Sequence, residues 1–338
     1  MKKFKLTLLL VLALTLVLSA CGKDKDSSQS NGSADGEDKV LQYSFADGSI
    51  TLPELAEDLG YLGDLKLEKV STTGNGPEQI QLVATKQLDY AYAFNGAVVK
   101  AIAEGVDLKA VVGAYGTNEL TASGLYVLED SPIQSAKDLV GKKIGVNTLG
   151  AQAEFITVQY LRDSGLTPEE IKKVQLVAIP YTTAEQTLRS KQVDAIRIGD
   201  IVKEKALENG GLRELTNDVK MFGHGFTGGS YSFSKKYIEQ NPNTVKTFVE
   251  GVAKAYEWTT TASKEEVIER MENIIKKRNP NESYENVKLW KSTGLPYEGA
   301  SMTDEDWTIW IDYLVNDGQI KPLEPSEVYT NEFNPYVK

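Results

Sequence analysis

The residue types that most often carry covalent or metal chemistry are nearly absent from this chain. It contains one histidine, His224, and one cysteine, Cys21, among 338 residues. Transition-metal sites draw mainly on histidine and cysteine, and nucleophilic catalysis by serine or cysteine usually needs a histidine base. The composition therefore argues against an enzyme of these classes, and we expect neither a cofactor nor a metal site.

One charged residue stands out because it lies where a charge is costly. Arg197 comes near the end of an apolar segment, residues 195–198, and a buried charge needs a partner. A guanidinium in such a place can hold a sulfonate or carboxylate through two parallel hydrogen bonds. The alternative is an ion pair inside the protein, with Asp194 or Asp200 as partner.

The N-terminal residues predict an exported lipoprotein. Three lysines precede the uncharged apolar run 6–18, which is too short for a membrane span of about 20 residues and fits a signal peptide instead. Leu18-Ser19-Ala20-Cys21 looks like a bacterial lipobox. Residues 1–20 are then a cleaved signal peptide, and Cys21 carries acyl (palmitate-type) chains as a membrane anchor. The alternative is an ordinary secreted protein with a chance cysteine.

The segment after the cysteine predicts a tether. Residues 22–39 are almost entirely polar or glycine, so they cannot help to build a core, and residues 21–39 are interpreted as a lipidated cysteine with a disordered linker. The net charge of −11 argues against a nucleic-acid partner. Contact with the cell membrane is expected only through the lipid anchor, on the extracellular face.

Two series of alternating strands and helices follow, and they predict βαβ units with a mostly parallel sheet. From Pro242 onward the pattern is helical, with apolar residues 245, 248, 249, 252, 253 and 256 on one face. We therefore predict an α/β fold of two Rossmann-like lobes with a hinge and a ligand cleft. Residues 40–127 and 230–338 would form lobe I and residues 128–229 lobe II, with the helical C-terminal segment packed on lobe I.

Four short motifs, in this order, resemble the substrate-binding proteins of ABC importers, in the nitrate/sulfonate/taurine/thiamine-pyrimidine group. They are QLDYAYA (87–93), AEGVDLKAV (103–111), DLVGKKIGV (138–146) and QVDAI (192–196). The resemblance implies the periplasmic-binding-protein type II fold. It also implies a monomer that captures a small anionic solute, of sulfonate or taurine type, by hinged closure. The partner would be an ABC permease with a cytoplasmic ATPase.

Two other functional classes were weighed against this one. The same fold serves pyrimidine-forming enzymes of thiamine synthesis, but those carry a cysteine-rich motif and a reactive histidine that this chain lacks. A binding protein that feeds a sensor instead of a permease has the same sequence features, and the sequence leaves that alternative open.

The resemblance implies that solute contacts come from the loops after the strands in both lobes. In lobe I these loops supply Asp47, Ser49, Gly76 and Asn95. Asp47 and Asn95 would recognise polar or amine groups, together with Tyr231 in the segment that returns to lobe I. Gly228 and Gly229 in that segment suit either a hinge or a β-bulge.

In lobe II the candidate residues are Thr148, Gly150 and Ala151, which open a long predicted helix. Helix N-termini present unpaired N–H groups and favour anions, so this is the best anion candidate of the chain. A plain helix cap is the alternative.

An uncharged heterocycle, such as a thiamine-pyrimidine precursor, is the main alternative solute. Aromatic rings facing the cleft would favour it, and Tyr90, Tyr92, Tyr115 and Tyr181 are the candidates, although Tyr90 and Tyr92 could equally be core residues.

Overall fold

A computed structural model describes residues 36–338. The predicted signal peptide, Cys21 and most of the linker lie outside the described residues. Residues 39–338 form one compact unit. Among the helices of the described residues, none is both long and apolar enough to cross a membrane.

The first series of elements runs from residue 40 to 117. Two of its helices start at capping side chains: the Thr51 side chain accepts a hydrogen bond from the Glu54 N–H, and that of Asn75 accepts one from the Glu78 N–H. The elements are β1 (Val40–Ser44), α1 (Leu52–Asp58), β2 (Lys66–Ser71), α2 (Gly76–Ala84), β3 (Tyr90–Phe94), α3 (Asn95–Ala103) and β4 (Lys109–Thr117).

The second series runs from residue 124 to 222. A 3₁₀ turn, Ala136–Leu139, separates its first two strands, and another, Tyr181–Thr183, precedes α6. The elements are β5 (Gly124–Leu128), β6 (Lys143–Val146), α4 (Gln152–Asp163), α5 (Pro168–Ile171), β7 (Gln175–Ala178), α6 (Ala184–Arg189), β8 (Ala195–Ile198), α7 (Asp200–Glu208), β9 (Leu212–Asn217) and α8 (Asp218–Phe222).

The chain then returns through one long strand and ends in helices. Short 3₁₀ turns at Glu285–Leu289 and Glu298–Ala300 interrupt this tail. The elements are β10 (Phe226–Phe233), α9 (Lys235–Gln240), α10 (Pro242–Thr261), α11 (Lys264–Arg278), α12 (Glu305–Asn316) and α13 (Pro325–Val328).

The strands form three sheets, in the orders β1-β2, β3-β10-β4 and β7-β6-β8-β5-β9. The pairs β1-β2, β6-β7 and β6-β8 are parallel, whereas β10 and β5 are antiparallel to both of their neighbours. The prediction of a mostly parallel sheet is therefore wrong. Strands β5 and β10 each run against the other strands of their sheet, and the sequence pattern carries no signal for strand direction.

Sheet membership divides the chain into two groups, which we call the first lobe (β1 to β4, β10 and the tail) and the second lobe (β5 to β9). Strand β5 pairs with β8 and β9, so Gly124–Leu128 lies in the second lobe, although the predicted boundary came after residue 127. Strand β10 pairs with β4 from Phe226 onward, four residues before the predicted return at 230, and with β3 from Gly229 onward. The crossings thus lie at residues 118–123 and 223–225.

In each lobe an aspartate side chain joins two strands by accepting a hydrogen bond from a backbone N–H. Asp89 accepts a hydrogen bond from the backbone N–H of Gln42 at 2.6 Å, and Asp194 accepts one from that of Lys143 at 2.9 Å. The backbone N–H of each aspartate also donates a hydrogen bond to the carbonyl of its partner, Asp89 to Gln42 at 3.0 Å and Asp194 to Lys143 at 2.8 Å. These two aspartates therefore hold strands in register.

The tail closes the core of the first lobe, as the helical pattern predicts. All six apolar residues of the predicted face of α10 are buried, and Phe248 packs against Tyr90, Tyr231 and Phe233 with ring centroids 4.8–5.7 Å apart. Trp307 and Trp310 of α12 are also buried. Both rings therefore belong to the core of the first lobe.

Candidate functional site

A cavity of about 290 Å³ lies between the two lobes, at the carboxyl ends of their strands. Crevices of this kind are where open α/β sheets bind ligands. Ligand pockets generally measure roughly 300–1,000 Å³, so this volume suits a small solute.

The first-lobe wall of the cavity is mainly aromatic and glycine-rich. Partly exposed rings of Phe45, Tyr92 and Tyr115 line it in a row, with centroids 5.0 Å apart for Phe45–Tyr92 and 5.2 Å for Tyr92–Tyr115. The full first-lobe lining is Phe45, Ala46, Gly74, Gly76, Pro77, Tyr92, Ala93, Phe94, Tyr115, Gly116 and Thr117.

The opposite wall is polar. It comprises residues of the crossing near 121–123 and of the second lobe, namely Thr121, Ser123, Asn147, Thr148, Ala151, Gln152, Ala153, Tyr181, Arg197, Gly199 and Asp218. Among the lining residues, whose side chains are all described, Arg197 and Asp218 carry the only charges.

The N-terminus of α4 opens into this wall. Its N-cap residue is Ala151, whose side chain cannot accept a hydrogen bond. The carbonyl of Ala151 accepts from the N–H groups of Glu154 and Phe155, at 3.0 and 3.2 Å. Within residues 36–338 the N–H groups of Gln152 and Ala153 have no such partner, so they are available to an anion.

Arg197 forms an ion pair with Asp218, and neither side chain is exposed to solvent. Its Nη2 also donates to the carbonyl of Ser123 at 3.3 Å. Its Nε and Nη1 are buried without a hydrogen-bond partner in the described part of the chain. Burial lowers the pKa of Arg197 to about 10, so the guanidinium is still charged at neutral pH.

Asp218 connects this arginine to the first lobe. It accepts hydrogen bonds from the Thr117 hydroxyl at 3.4 Å and from the N–H of Ser123 at 3.3 Å. The internal partner of Arg197 is thus Asp218, which the sequence did not single out. Asp194 is engaged with Lys143, and the side chain of Asp200 lies outside what the structure describes.

Four of the predicted site residues lie in the cavity wall: Gly76, Thr148, Ala151 and Arg197. Gly76 permits close packing, because a Cβ there would lie 3.0 Å from the Cα of Ala93. Gly150 is next to this wall but not in it, and its N–H donates to Glu154 at 2.8 Å.

The other four predicted residues lie elsewhere. Asp47 pairs with Lys69 at 2.7 Å on the surface, and the carbonyl of Ser49 accepts from Arg278 at 3.1 Å. Asn95 is fully buried, and its Nδ2 donates to the carbonyl of Thr227 at 2.9 Å.

Tyr231 is also fully buried, and its hydroxyl accepts from the N–H of Leu52 at 3.3 Å. It lies in the middle of β10, where long-range pairing buries both faces. Each of these four residues thus bonds within the protein, and none of them is part of the cavity wall.

Gly228 and Gly229 lie inside β10, in a stretch where the pairing with β4 shifts register. Of the two alternatives for these glycines, the bulge is the one that the strand pairing supports. The chain crosses between lobes a few residues earlier.

Several lining residues were absent from the predicted binding set, above all Phe45, Gln152 and Asp218. Three other lining residues were predicted only as contacts of the alternative, uncharged solute, namely Tyr92, Tyr115 and Tyr181. A signal for Gln152 was present, since it follows the predicted anion loop directly. Asp218 had no such signal, because its strand and helix were not recognised.

Helix α4 also joins the two lobes through direct side-chain contacts. Phe155 packs against Phe94, Trp310 and Tyr313 of the first lobe, with ring centroids 5.3, 6.4 and 4.8 Å away. Arg162, near the other end of the helix, forms an ion pair with Asp317. Movement of the lobes would have to separate these contacts.

No group of three or more potential metal-ligating side chains occurs in residues 36–338.

The family described as NMT1/THI5 like matches residues 54–266, well over half of the chain. The chain belongs to the NMT1/THI5-like family. Its fold is that of solved solute-binding proteins of ABC importers.

Individual relatives of this family member are distant. A Brucella abortus protein, named as a predicted binding protein, is 24% identical over 77% of this chain and 79% of its own length. A Bacillus subtilis protein, named as a predicted aliphatic sulfonates-binding protein, is 25% identical over 54% of this chain and 53% of its own.

A solved structure supports the same fold. The alkanesulfonate-binding protein from Xanthomonas axonopodis pv. citri, bound to MOPS, has a TM-score of 0.66 at 18% identity. The match covers 87% of this chain and all of that one. The α/β fold predicted from the sequence is thereby confirmed.

Proposed function

We propose that this protein captures a small organic anion, of sulfonate or taurine type, in the cavity between its lobes and delivers it to an ABC permease. The observation that carries the proposal is the open N-terminus of α4, whose residues Thr148 and Ala151–Ala153 line the cavity. Unpaired N–H groups at a helix N-terminus bind anionic oxygens, and the helix dipole adds to the attraction. The named sulfonate-binding relative agrees with this solute class.

Arg197 is proposed as a second donor to the solute. Two of its three guanidinium nitrogens have no partner among the described residues, and the residue belongs to the cavity wall. In this structure the guanidinium is covered, so a solute oxygen would reach it only after a small movement of the wall. Asp218 would hold the planar group in the orientation that a sulfonate needs.

An uncharged heterocycle remains the second candidate, and one observation favours it. The charges of Arg197 and Asp218 compensate each other, so the described lining side chains contribute no net positive charge. Under this alternative the aromatic row would stack on the heterocycle, and Arg197 would serve only as an internal ion pair.

A binding screen separates these candidates. Residues 22–338, made without Cys21, would be refolded to remove any copurified solute and then tested by thermal shift and calorimetry. The panel would hold taurine, alkyl and aryl sulfonates, nitrate, bicarbonate, carboxylates, thiamine and its pyrimidine. A solute that binds only the folded state at 100 times its Kd adds ~2.7 kcal/mol of stability. If none of the anions in the panel bound, the proposed function would be rejected.

A matched pair of variants tests the helix N-terminus itself. Gln152 is the first residue of α4, where proline is favoured, and Ala151 has extended backbone angles (φ −121°, ψ 176°) that a following proline accepts. Gln152→Pro removes one backbone donor and the side chain, whereas Gln152→Ala removes only the side chain. We expect Gln152→Pro to bind a sulfonate roughly tenfold more weakly than Gln152→Ala, as for a charge-assisted hydrogen bond. Equal affinities would show that this N–H does not contact the solute.

Capture is proposed to proceed by hinged closure at the two crossings, residues 118–123 and 223–225. The contacts of Phe155 with the first lobe hold the lobes together on one side. Because only differential affinity shifts such an equilibrium, Phe155→Ala should favour the open form and weaken solute binding. Small-angle scattering with and without solute would measure the change in radius of gyration.

We also propose that the mature protein is a monomer held at the outer face of the cell membrane by acyl chains on Cys21. Mass spectrometry of the membrane fraction would detect the lipidated cysteine, and Cys21→Ser should release the protein. Uptake of the identified solute by cells that lack this gene would separate a permease partner from a sensor.

A further inference from the structure

We infer, on the basis of the proposed function, that the solute is an arene whose anionic group is attached directly to the ring or one atom from it. The inference rests on the geometry of the first-lobe wall and on its distance from the N-terminus of α4.

The wall presents a continuous row of aromatic rings. Tyr92 lies between Phe45 and Tyr115, and all three are partly exposed in the cavity. Phe45 meets Tyr92 edge to face, at an interplanar angle of 77°, whereas Tyr92 and Tyr115 are tilted by 39°. Such a surface offers both faces and edges to a flat ring, and aromatic pairs favour these geometries over contact with a saturated chain.

The row is held rigid from behind. Tyr92 is backed by the fully buried Tyr231, with ring centroids 5.8 Å apart. Tyr115 lies directly over Gly229, where a Cβ would be only 2.1 Å from its Cε1. Gly229 does not have a positive φ, so its backbone does not require glycine. The residue is small because the tyrosine ring occupies the space, and a preformed ring surface loses little entropy on binding.

The row ends next to the proposed anion site. A Cβ on Gly228 would lie 3.1 Å from Cε2 of Tyr115 and 3.2 Å from Oε1 of Gln152. Gln152 is the first residue of α4, so the last ring of the row and the side chain of the first residue of the helix adjoin the same point. A solute that stacks on Tyr115 therefore has its anionic group at the helix only if the connection between them is short.

The test compares solutes that share one head group, using calorimetry on residues 22–338. Benzenesulfonate and cyclohexanesulfonate differ only in ring saturation, and 4-phenylbutanesulfonate places four carbons between ring and anion. We expect benzenesulfonate to bind about tenfold more tightly than either of the others, which is the size of effect expected for two aromatic contacts. Benzenesulfonamide, which is uncharged, should bind much more weakly.

Substitutions test which residues cause the expected preference for benzenesulfonate over cyclohexanesulfonate. Tyr115→Leu and Gly229→Ala should each remove most of the advantage of benzenesulfonate over cyclohexanesulfonate, because the first deletes the ring and the second displaces it. Tyr284→Leu, in a tyrosine that does not line the cavity, is the matched control. Since Gly229→Ala could destabilise the strand, Gly229→Ala with Tyr115→Leu, which relieves the clash, keeps the comparison in a folded protein.

The outcomes distinguish this inference from the proposed function. Equal affinity for the three sulfonates would overturn the inference and leave anion capture standing. No binding of any sulfonate would overturn both. Tight binding of benzenesulfonamide would overturn the anionic part and support the uncharged alternative.

Discussion

Two arginines of this protein are removed from solvent in very different ways. Arg278, at the end of α11, bonds to Glu54 and Glu282, and its Nη2 also donates to the carbonyl of Ser49 at 3.1 Å. Arg197, at the end of β8, has one carboxylate, Asp218, and two nitrogens without a partner within residues 36–338.

The surroundings shift their pKa values in opposite directions. Burial lowers the pKa of Arg278, but the bonds and charges of Glu282 and Glu54 outweigh burial and hold that pKa above its usual range. Burial dominates at Arg197 and lowers its pKa to about 10. The cluster around Arg278 is thus internally complete, whereas the Arg197 pair leaves donors unused at a cavity wall.

The contacts of Arg278 and Glu282 also explain why the first predicted binding loop, which contains Asp47 and Ser49, does not line the cavity. Glu282 accepts a hydrogen bond from the N–H of Gly48 at 2.6 Å, while Arg278 bonds to Ser49. The helical tail therefore holds this loop in place through side-chain hydrogen bonds. A charge whose bonds are all made within the protein stabilises the fold, and a buried charge with unused donors is a candidate for ligand binding.

The largest effect should come from breaking the complete cluster. Arg278→Met leaves Glu54 and Glu282 buried without their cation, and breaking a buried ion pair costs about 3–5 kcal/mol of unfolding free energy. Urea denaturation at pH 7.5 measures this loss.

Arg270→Met is the matched control on the same helix. Arg270 is about one-third exposed and pairs with Asp58 at 2.6 Å. An exposed pair is worth about 1 kcal/mol or less, so a loss as large as that of Arg278→Met would contradict the contrast between surface and buried arginines.

The next effect concerns the incomplete pair. Asp218→Asn keeps the shape of the side chain but leaves Arg197 without a carboxylate, and we expect a loss of about 3 kcal/mol. Adding Arg197→Met should recover most of it, since removing both charges of a buried pair is often nearly neutral. Denaturation of the single and double variants measures the coupling, and additive losses would show that the two residues do not act as a pair.

The double variant then separates stability from binding. Arg197→Met with Asp218→Asn should remain folded yet bind a sulfonate about tenfold or more weakly, as expected when a charge-assisted hydrogen bond is lost. Calorimetry measures the affinity, with Arg270→Met as control. Unchanged affinity would make Arg197 a purely internal ion pair, like Arg278.

The smallest effect is expected from pH. With a pKa of about 10, Arg197 stays protonated from pH 6 to 9, and a sulfonate does not titrate there. Affinity for a sulfonate should therefore change by less than about twofold over this range, and should fall as the pH approaches 10 because the cation is lost. The fall should be absent in the double variant, and a titration between pH 6 and 8 would point to a different group.

Local pattern was sufficient for several features of this protein. The scarcity of histidine and cysteine argued against an enzyme, and spacing alone identified the buried face of α10. Each of these depends on neighbours within a few residues or on composition.

The partner of Arg197 depended on a segment that pattern did not reveal. Strand β9 (Leu212–Asn217) is an edge strand whose residues are mostly half-buried, so its alternation of polar and apolar residues is weak. Helix α8, which begins with Asp218, is only one turn long. Without these elements the carboxylate 21 residues from Arg197 could not be assigned to it.

Two tyrosines show most directly what only the tertiary structure decided. Tyr92 and Tyr231 are direct partners on adjacent antiparallel strands, so their sequence patterns are equivalent. Helix α10 covers Tyr231, with Phe248 at 5.7 Å, whereas Tyr92 extends into the cavity beside Phe45 and Tyr115. The sequence by itself determined that aromatic residues occupy these strands. Which ring is core and which faces the cavity depends on a helix that begins 150 residues further along the chain from Tyr92.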